Sequence, residues 1–596
     1  MTLNDGTYPR PTLVRPAHVA FDRTCAFAYD DDNRGLAEQW HRREDVFDRE
    51  IQLPFAPESA ASGIGETGYH AVVWYRIPIT AADIRDAGRG SQGERLILHF
   101  GAVDYTADVW ADGSHVAHHE GGQTAFSADI TDALDADVDE HVVVVRAADD
   151  PVDGTVPRGK QTWREEPHAV WYHRTTGIWR SVWLEAVPAL HVQSLVWTTD
   201  LATSSVRMDL ELNERPAAPA EVSIAVGIDG ELAQLQVRAT EQTVTAVVPI
   251  DRIRNGEEQH GLLWSPENPR LVDSTVTVTS GGSTDTVASY VGLREVGTSD
   301  GRFLLNGRPY YLRSVLEQGY WPESHFTAPS LDALKDEVEL VLSLGFNALR
   351  IHQKVEDPRF LYWCDRLGVL VWAETGSAHE FSGLAVQRLT AEWVEIVRQH
   401  RAHPSVVTWV PFNESWGVQN GTRDPAQQAF ISALTSLTRA LDSSRPVVSN
   451  DGWEHTESDI WTIHDYRADG AELRAAYGSR ERLEAMIRGI GPAGRRTSLN
   501  PVGEIAEPIM LTEFGGVSYI TGETPEDSWG YSSAESADDF ERRVRAIMDA
   551  IHNARELSGF CYTQLTDTHQ ETNGLCDANR QPKLPTETLR KLIRGE

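Results

Sequence analysis

Two glutamates carry the strongest chemical signal in the sequence. Val406-Val407-Thr408-Trp409-Val410-Pro411-Phe412 is an apolar strand core that runs into Asn413-Glu414-Ser415-Trp416-Gly417, and Pro508-Ile509-Met510-Leu511-Thr512 runs into Glu513-Phe514-Gly515-Gly516. Two carboxyl groups facing one pocket can divide the cleavage of a glycosidic bond. One protonates the departing oxygen, the other attacks the anomeric carbon, and water then releases the sugar. The division demands unequal proton affinities, because the acid must stay protonated while the nucleophile stays ionised. Phe412 and Trp416 would disfavour a charged Glu414, which predicts the acid/base role there, and polar Thr512 fits an ionised nucleophile at Glu513. A lone acid at a strand end often caps a helix or joins a salt bridge; two of them, each beside glycine and aromatic residues, argue for a site.

Such a pair needs strands that end on one face, and the chain after Gly301 supplies them. Apolar β runs at Pro309–Val315, Phe346–Ile351, Val369–Ala373, Val406–Pro411, Pro446–Asn450, Trp461–His464, Ile509–Thr512 and Gly559–Gln564 alternate with segments of helical period. These are Ser330–Leu344, Asp357–Leu367, Leu384–His400, Pro425–Leu441, Ala471–Gly489 and Ser536–Leu557. Eight strands in about 300 residues predict one (β/α)8 barrel, whose catalytic groups lie at the carboxyl ends of its strands. By this count Glu414 and Glu513 end strands four and seven. The polar stretch Gly491–Glu507 reads as an insertion near the barrel mouth.

Upstream, short alternating runs separated by Gly and Asp turns predict two β-sandwiches, a jelly roll and then an immunoglobulin-like unit. The expected architecture is multidomain β and α/β, with a jelly roll over residues 1–188, an immunoglobulin-like sandwich over 189–294 and a catalytic barrel over 295–596.

The same residues resemble glycoside hydrolase family 2, the family of β-galactosidases, β-glucuronidases and β-mannosidases. Asn413-Glu414-Ser415-Trp416-Gly417, preceded by His403-Pro404-Ser405, is similar to the family's acid/base motif, and Thr512-Glu513-Phe514-Gly515 to its nucleophile motif. Thr67-Gly68 to Trp74-Tyr75-Arg76 and Leu305-Asn306-Gly307-Arg308-Pro309 to Leu312-Arg313 resemble the sugar-binding domain opening and the segment entering the barrel. The resemblance implies that Glu414 is the acid/base, Glu513 the nucleophile, that Asn413 binds the hydroxyl next to the anomeric carbon, and that Tyr466 hydrogen-bonds the nucleophile. Arg350, His352, Glu374, Trp416, His464, Asp465 and Gln564, at or near the ends of predicted strands, complete the predicted substrate-binding set. The expected activity is that of a retaining, exo-acting β-glycosidase, most like a β-galactosidase. Another family specificity (mannoside, glucosaminide, arabinoside or glucuronide) or a non-hydrolytic carbohydrate-binding protein on the same fold stays open. Departures from the family pattern are Arg350-Ile351-His352, one residue shorter than Arg-x-x-His, the eighth strand ending in Gln564-Leu565 where many relatives place Trp, and the absence of an Asn-x-Lys motif.

Composition bounds the remaining classes. The chain has 54 Lys and Arg against 89 Asp and Glu, a net charge of −35 that repels phosphate backbones and anionic lipid, so no nucleic acid or membrane partner is expected. The expected partner is a carbohydrate, with a homo-oligomer allowed by the family's habit of assembling. The four cysteines form no C-x-x-C pair, no apolar run reaches 18 residues, and the amino terminus lacks an apolar core, which predicts reduced thiols and a cytoplasmic location. No cofactor and no metal are expected: Glu374, His379 and Glu380 cluster after strand three, but without a metal-ligand spacing. Gly63–Gly68 and Gly489–Gly494 match G-x-G-x-x-G, yet the first leads into a strand and the second contains Pro, so neither offers a helix amino terminus to a dinucleotide.

Overall fold

The computed structural model describes residues 4–596 except 91, 92, 136, 139, 229, 255 and 522–526. The amino-terminal part is an antiparallel sandwich. One sheet runs Arg49–Gln52, Thr24–Tyr29, Val72–Thr80, Glu140–Ala148, Thr106–Ala111, Ser114–Glu120; the other runs Val19–Ala20, Val182–Pro188, Glu94–Phe100, Phe126–Asp129. Strand alternation builds the core between them: Val73, Tyr75, Ile77 and Ile79 from one sheet meet Leu96, Leu98 and Phe100 from the other.

A second sandwich pairs a sheet of Val192–Asp200, Ser205–Leu212 and Thr243–Pro249 with one of Glu231–Ala239, Ala220–Ile228, Leu271–Ser280 and Ser283–Gly292. Its core interleaves Val206, Met208 and Leu210 with Val222, Ile224 and Val226. Buried Arg15 clamps the two sandwiches by pairing with Glu185 at 2.8 Å and Asp285 at 2.9 Å.

The barrel strands Leu312–Glu317, Ala348–Ile351, Leu370–Glu374, Val406–Val410, Trp461–Asp465, Ile509–Gly515 and Gly559–Thr563 form one parallel sheet. The predicted fifth strand, Pro446–Asn450, is not a regular strand. It fills the gap through isolated bridges, Trp409 to Val447 and Asn413 to Asp451, and Gly452 N–H reaches Thr462 Oγ1 at 2.9 Å. Its backbone is partly satisfied by side chains, as where Ser458 Oγ accepts from Ser449 N–H at 2.8 Å, and that breaks the ladder.

Helices Leu331–Ser343, Pro358–Leu367, Gly383–His400 and Pro425–Leu441 start where expected because Ser330, Asp357, Ser382 and Asp424 cap their first turns. The expected opening strand at Pro309 begins instead at Leu312. The expected single helix Ala471–Gly489 is two, Gly470–Tyr477 and Arg480–Arg488, divided where Ser479 caps a new amino terminus. No described helix is long and apolar enough to cross a membrane, and all four cysteines are free.

Candidate active site

At the carboxyl ends of the barrel strands, Arg350 is the hub of a buried charge network. Its Nη1 donates to Glu513 Oε1 at 2.9 Å and pairs with Asp451 Oδ2 at 2.7 Å, its Nη2 donates to Asn413 Oδ1 at 2.6 Å, and its Nε donates to Glu374. The rigid guanidinium fork thus orders the ends of strands two, three, four and seven and of the fifth segment. Strand two places Arg350 and His352 on the same face by its two-residue period.

Glu513 is 5 % exposed. Burial favours its neutral form, but the charges of His464, Arg350 and His352 and a hydrogen bond from Tyr466 Oη outweigh that and hold its carboxyl below the ordinary value. Tyr466 is itself clamped, its ring stacked on Tyr531 with centroids 3.3 Å apart and planes 4° from parallel.

Glu414 has a 20 % exposed side chain and a left-handed backbone at φ 50°, followed by Ser415 at φ 57°. Two successive residues in that region cost free energy and turn the carboxylate off the strand into the barrel mouth. Its Oε1 lies 2.8 Å from His464 Nδ1, whose Nε2 lies 2.9 Å from Asp451 Oδ2. A ring with both nitrogens facing carboxylates donates from both, which is the imidazolium. Burial opposes that charge, but Glu513 and Asp451 push the His464 pKa up to about 10. Asp451, fully buried, is held well below the usual carboxylate range because Arg350 and His464 outweigh its desolvation. One oxygen of Glu414, one of Glu513 and a His464 nitrogen all lie within 4.8 Å of one another.

The sequence-predicted residues do not all face the pocket. Asn413, His464 and Tyr466 join the cluster around the two glutamates. His352 is buried beside Glu374, 3.2 Å away, with its proton affinity depressed by burial, Lys160 and Arg350. Glu374 is consumed by Arg350 and by the Gln353 N–H at 2.9 Å, so it positions the hub and offers a substrate little. Asp465 accepts from Arg467 and from Tyr477 Oη at 2.7 Å. Gln564, fully buried, accepts from Gln318 at 2.7 Å and sits 3.5 Å from Glu571. Both are supports, because their polar atoms are already paired. The expected influence of Phe412 and Trp416 on Glu414 takes another form: Phe412 packs against Phe430 in the core, Trp416 against Trp171, and His464 is what contacts the carboxylate. Glu374, His379 and Glu380 diverge, with His379 against Trp163 and Trp171 and Glu380 against Gly154.

Residues not expected complete the site. Asp451 ends the fifth barrel segment, so the strand-end rule that found Glu414 and Glu513 would have found it. Tyr531 lies on an irregular loop with no such signal. A mouth cavity of about 750 Å³ is lined by Glu414, Trp453, Tyr466, Arg467, Ile490 and Pro492 among others, so the polar insertion does border the opening. The sandwich loop carrying Trp171 reaches the rim, where Trp171 meets Trp416 at 5.0 Å and its neighbour Tyr172 hydrogen-bonds Glu571.

Residues 190–294 match the glycosyl hydrolases family 2, and residues 296–595 match the glycosyl hydrolases family 2, TIM barrel domain. The β-glucuronidase of Canis lupus familiaris is 25 % identical over 456 residues, 71 % of this chain and 66 % of its own length. The β-galactosidase of Thermoanaerobacter pseudethanolicus is 25 % identical over 423 residues, 67 % of this chain and 52 % of its own. The chain therefore spans less than two thirds of these relatives' length. Among solved structures, a family 2 β-galacturonidase from Eisenbergiella tayi bound to glycerol has a TM-score of 0.72 at 18 % identity, covering 99 % of this chain and 98 % of that one. A Ruminococcus gnavus β-glucuronidase has a TM-score of 0.75 at 16 % identity over 100 % of both chains. The chain belongs to glycoside hydrolase family 2.

Proposed function

We propose that the chain is a retaining, exo-acting β-glycosidase working by double displacement, with Glu513 as nucleophile and Glu414 as acid/base. The observation that carries this is the approach of the two carboxylates, whose nearest oxygens lie within 4.8 Å. Retaining pairs stand about 5–5.5 Å apart, whereas inverting pairs need roughly 6.5–9.5 Å to admit a water between carboxylate and sugar. Arg350 and Tyr466 hold Glu513 ionised and in line, and Glu513 attacks the anomeric carbon. Among the described residues the Glu414 side chain bonds only His464, whose N–H its Oε1 can accept in either protonation state, and it faces the open mouth, so in its protonated form it is the carboxyl placed to pass the proton on Oε2 to the departing oxygen. It then withdraws that proton from the water that frees the sugar. Asn413 spends its amide oxygen on Arg350, which leaves its N–H groups for the neighbouring hydroxyl.

On the sugar, the sequence favours a β-galactoside, and one observation favours a second reading, a β-uronide. Lys160 is 9 % exposed, its charge acts on His352 and Glu571, and no carboxylate among the described residues lies within ion-pair distance of its Nζ. Among the described residues its Nζ faces the Tyr172 ring at 5.9 Å, and the carboxylate of a uronic acid would supply the opposite charge it lacks. Hydrolysis of a panel of aryl β-glycosides with retention at C1 tests the whole proposal. Lys160→Met should raise KM selectively for glucuronides or galacturonides if the uronide reading holds and leave a galactoside unaffected. Release from no sugar, with sugar-dependent thermal stabilisation, would mark a binding protein instead.

A further inference from the structure

Away from the carboxylates, three histidines from three loops meet at the seam between the first sandwich and the barrel. His173 follows Tyr172 on the sandwich loop, His325 lies on the loop after the first barrel strand, and His569 on the loop after the eighth. One ring nitrogen from each lies within 4.8 Å of the others. Ring centroids are 4.6 Å apart for His173–His325, 4.7 Å for His173–His569 and 5.7 Å for His325–His569.

The rings also pack on aromatic neighbours, His173 stacked on His325 and His569 against Tyr172 at 5.6 Å and Tyr320 at 5.9 Å, but that packing does not occupy their nitrogens. His325 is 7 % exposed, and its buried Nδ1 has no hydrogen-bond partner among the described residues, which costs free energy that a ligand would recover. No carboxylate balances the cluster: the charges felt at the three rings are one another and Arg174. Burial accordingly pushes His173 down to about 4 and His325 to about 3, and His569 well below its usual value.

The loops are fixed by their own contacts. Trp321 and His325 exchange backbone hydrogen bonds at 2.8 and 2.9 Å, as do Thr568 and Glu571 at 2.9 Å each, so His325 and His569 sit in tight turns. Gln570 Nε2 donates to Ala169 O at 2.7 Å, and Tyr320 Oη donates to His173 O at 3.2 Å, tying the sandwich loop to the barrel rim. His173 and His569 are only half-buried, which leaves a path inward.

We infer that His173, His325 and His569 form a binding site for one divalent transition-metal ion, zinc by ligand chemistry. Three neutral imidazoles are a common protein ligand set for tetrahedral zinc, with the fourth position left to water or an added ligand. Binding turns the ring lone pairs toward one point by side-chain torsion, and gives His325 Nδ1 or its ring partner the contact it lacks. The ion would staple the loop bearing Tyr172 to the barrel loops bearing Tyr320 and Glu571, beside the proposed active site but apart from its carboxylates.

Cobalt(II) titration of the chelator-treated, untagged full chain tests this. The expected result is one equivalent bound with the intense visible absorption of a four-coordinate site, displaced by zinc, with a rise in Tm on zinc addition. His325→Ala and the half-buried His173→Asn should each abolish the spectrum, and Glu414→Gln should keep it. Circular dichroism checks that the variants fold, and His173→Asn carries the test if His325→Ala does not. Absence of stoichiometric cobalt in the native chain overturns the inference. So does a signal that survives His173→Asn but is lost in Glu414→Gln, since that puts the metal on Glu414, His464 and Glu513.

Discussion

Two groups of side chains with metal-ligand spacing stand near the same barrel mouth, and they are built on opposite principles. Glu414, His464 and Glu513 belong to a network of opposite charges in which Arg350, Asp451 and Tyr466 satisfy every neighbour. The rings of His173, His325 and His569 pack on one another and on Tyr172 and Tyr320, and the buried Nδ1 of His325 has no hydrogen-bond partner among the described residues. Closely spaced ligand-type atoms therefore do not by themselves mark a metal site. What separates the cases is whether the protein has already paired the atoms: a paired cluster tunes protonation, while an unpaired neutral one awaits a ligand.

The sharpest break of this comparison is Glu513→Gln. If the charged cluster is the reactive one, turnover of aryl β-glycosides should fall by ~10⁴-fold or more with unchanged circular dichroism, and near-normal rates would falsify the assignment. Next, Arg350→Ala should destabilise the fold by about 3–5 kcal/mol, because it strands three buried carboxylates. His325→Ala without metal should cost far less, since it leaves no charge unpaired; urea unfolding of both measures the contrast, and equal losses would erase it.

A smaller effect is expected for Tyr466→Phe, roughly 10-fold in kcat. Tyr466 helps hold the Glu513 pKa down, so its loss raises that pKa, and the acid limb of the pH–rate profile should move to higher pH. An unmoved limb would deny the phenol that role.

The mildest test is of stability against pH. His464 is raised from 6.5 to about 10 in the folded protein, so its stabilising contribution is complete below about pH 6.5 and is lost as pH rises toward 10. The Tm gap between the native chain and His464→Asn should narrow over that interval; a constant gap would mean that His464 is not protonated in the fold.

Much of this molecule was legible before any coordinates. Period-two and period-3.6 patterns gave the sandwiches and seven barrel strands, and helical period placed four helix starts to within a residue, on first turns that Ser330, Asp357, Ser382 and Asp424 cap. The fifth strand misled because Pro446–Asn450 has strand composition but takes part of its hydrogen bonding from side chains. Asp465 and Gln564 stand at strand ends as pocket residues should, yet partners from other elements, Arg467 and Tyr477 or Gln318, occupy them.

Local sequence alone determined which residues could do chemistry here, because an acid after an apolar run is a feature of a few consecutive residues. Only the tertiary structure decided which were left free to do it. Arg350 gathers strands two, three, four and seven, and the three histidines gather loops far apart in the chain. Pairing across such distances depends on how barrel and sandwich close on each other, and no short-range pattern encodes that.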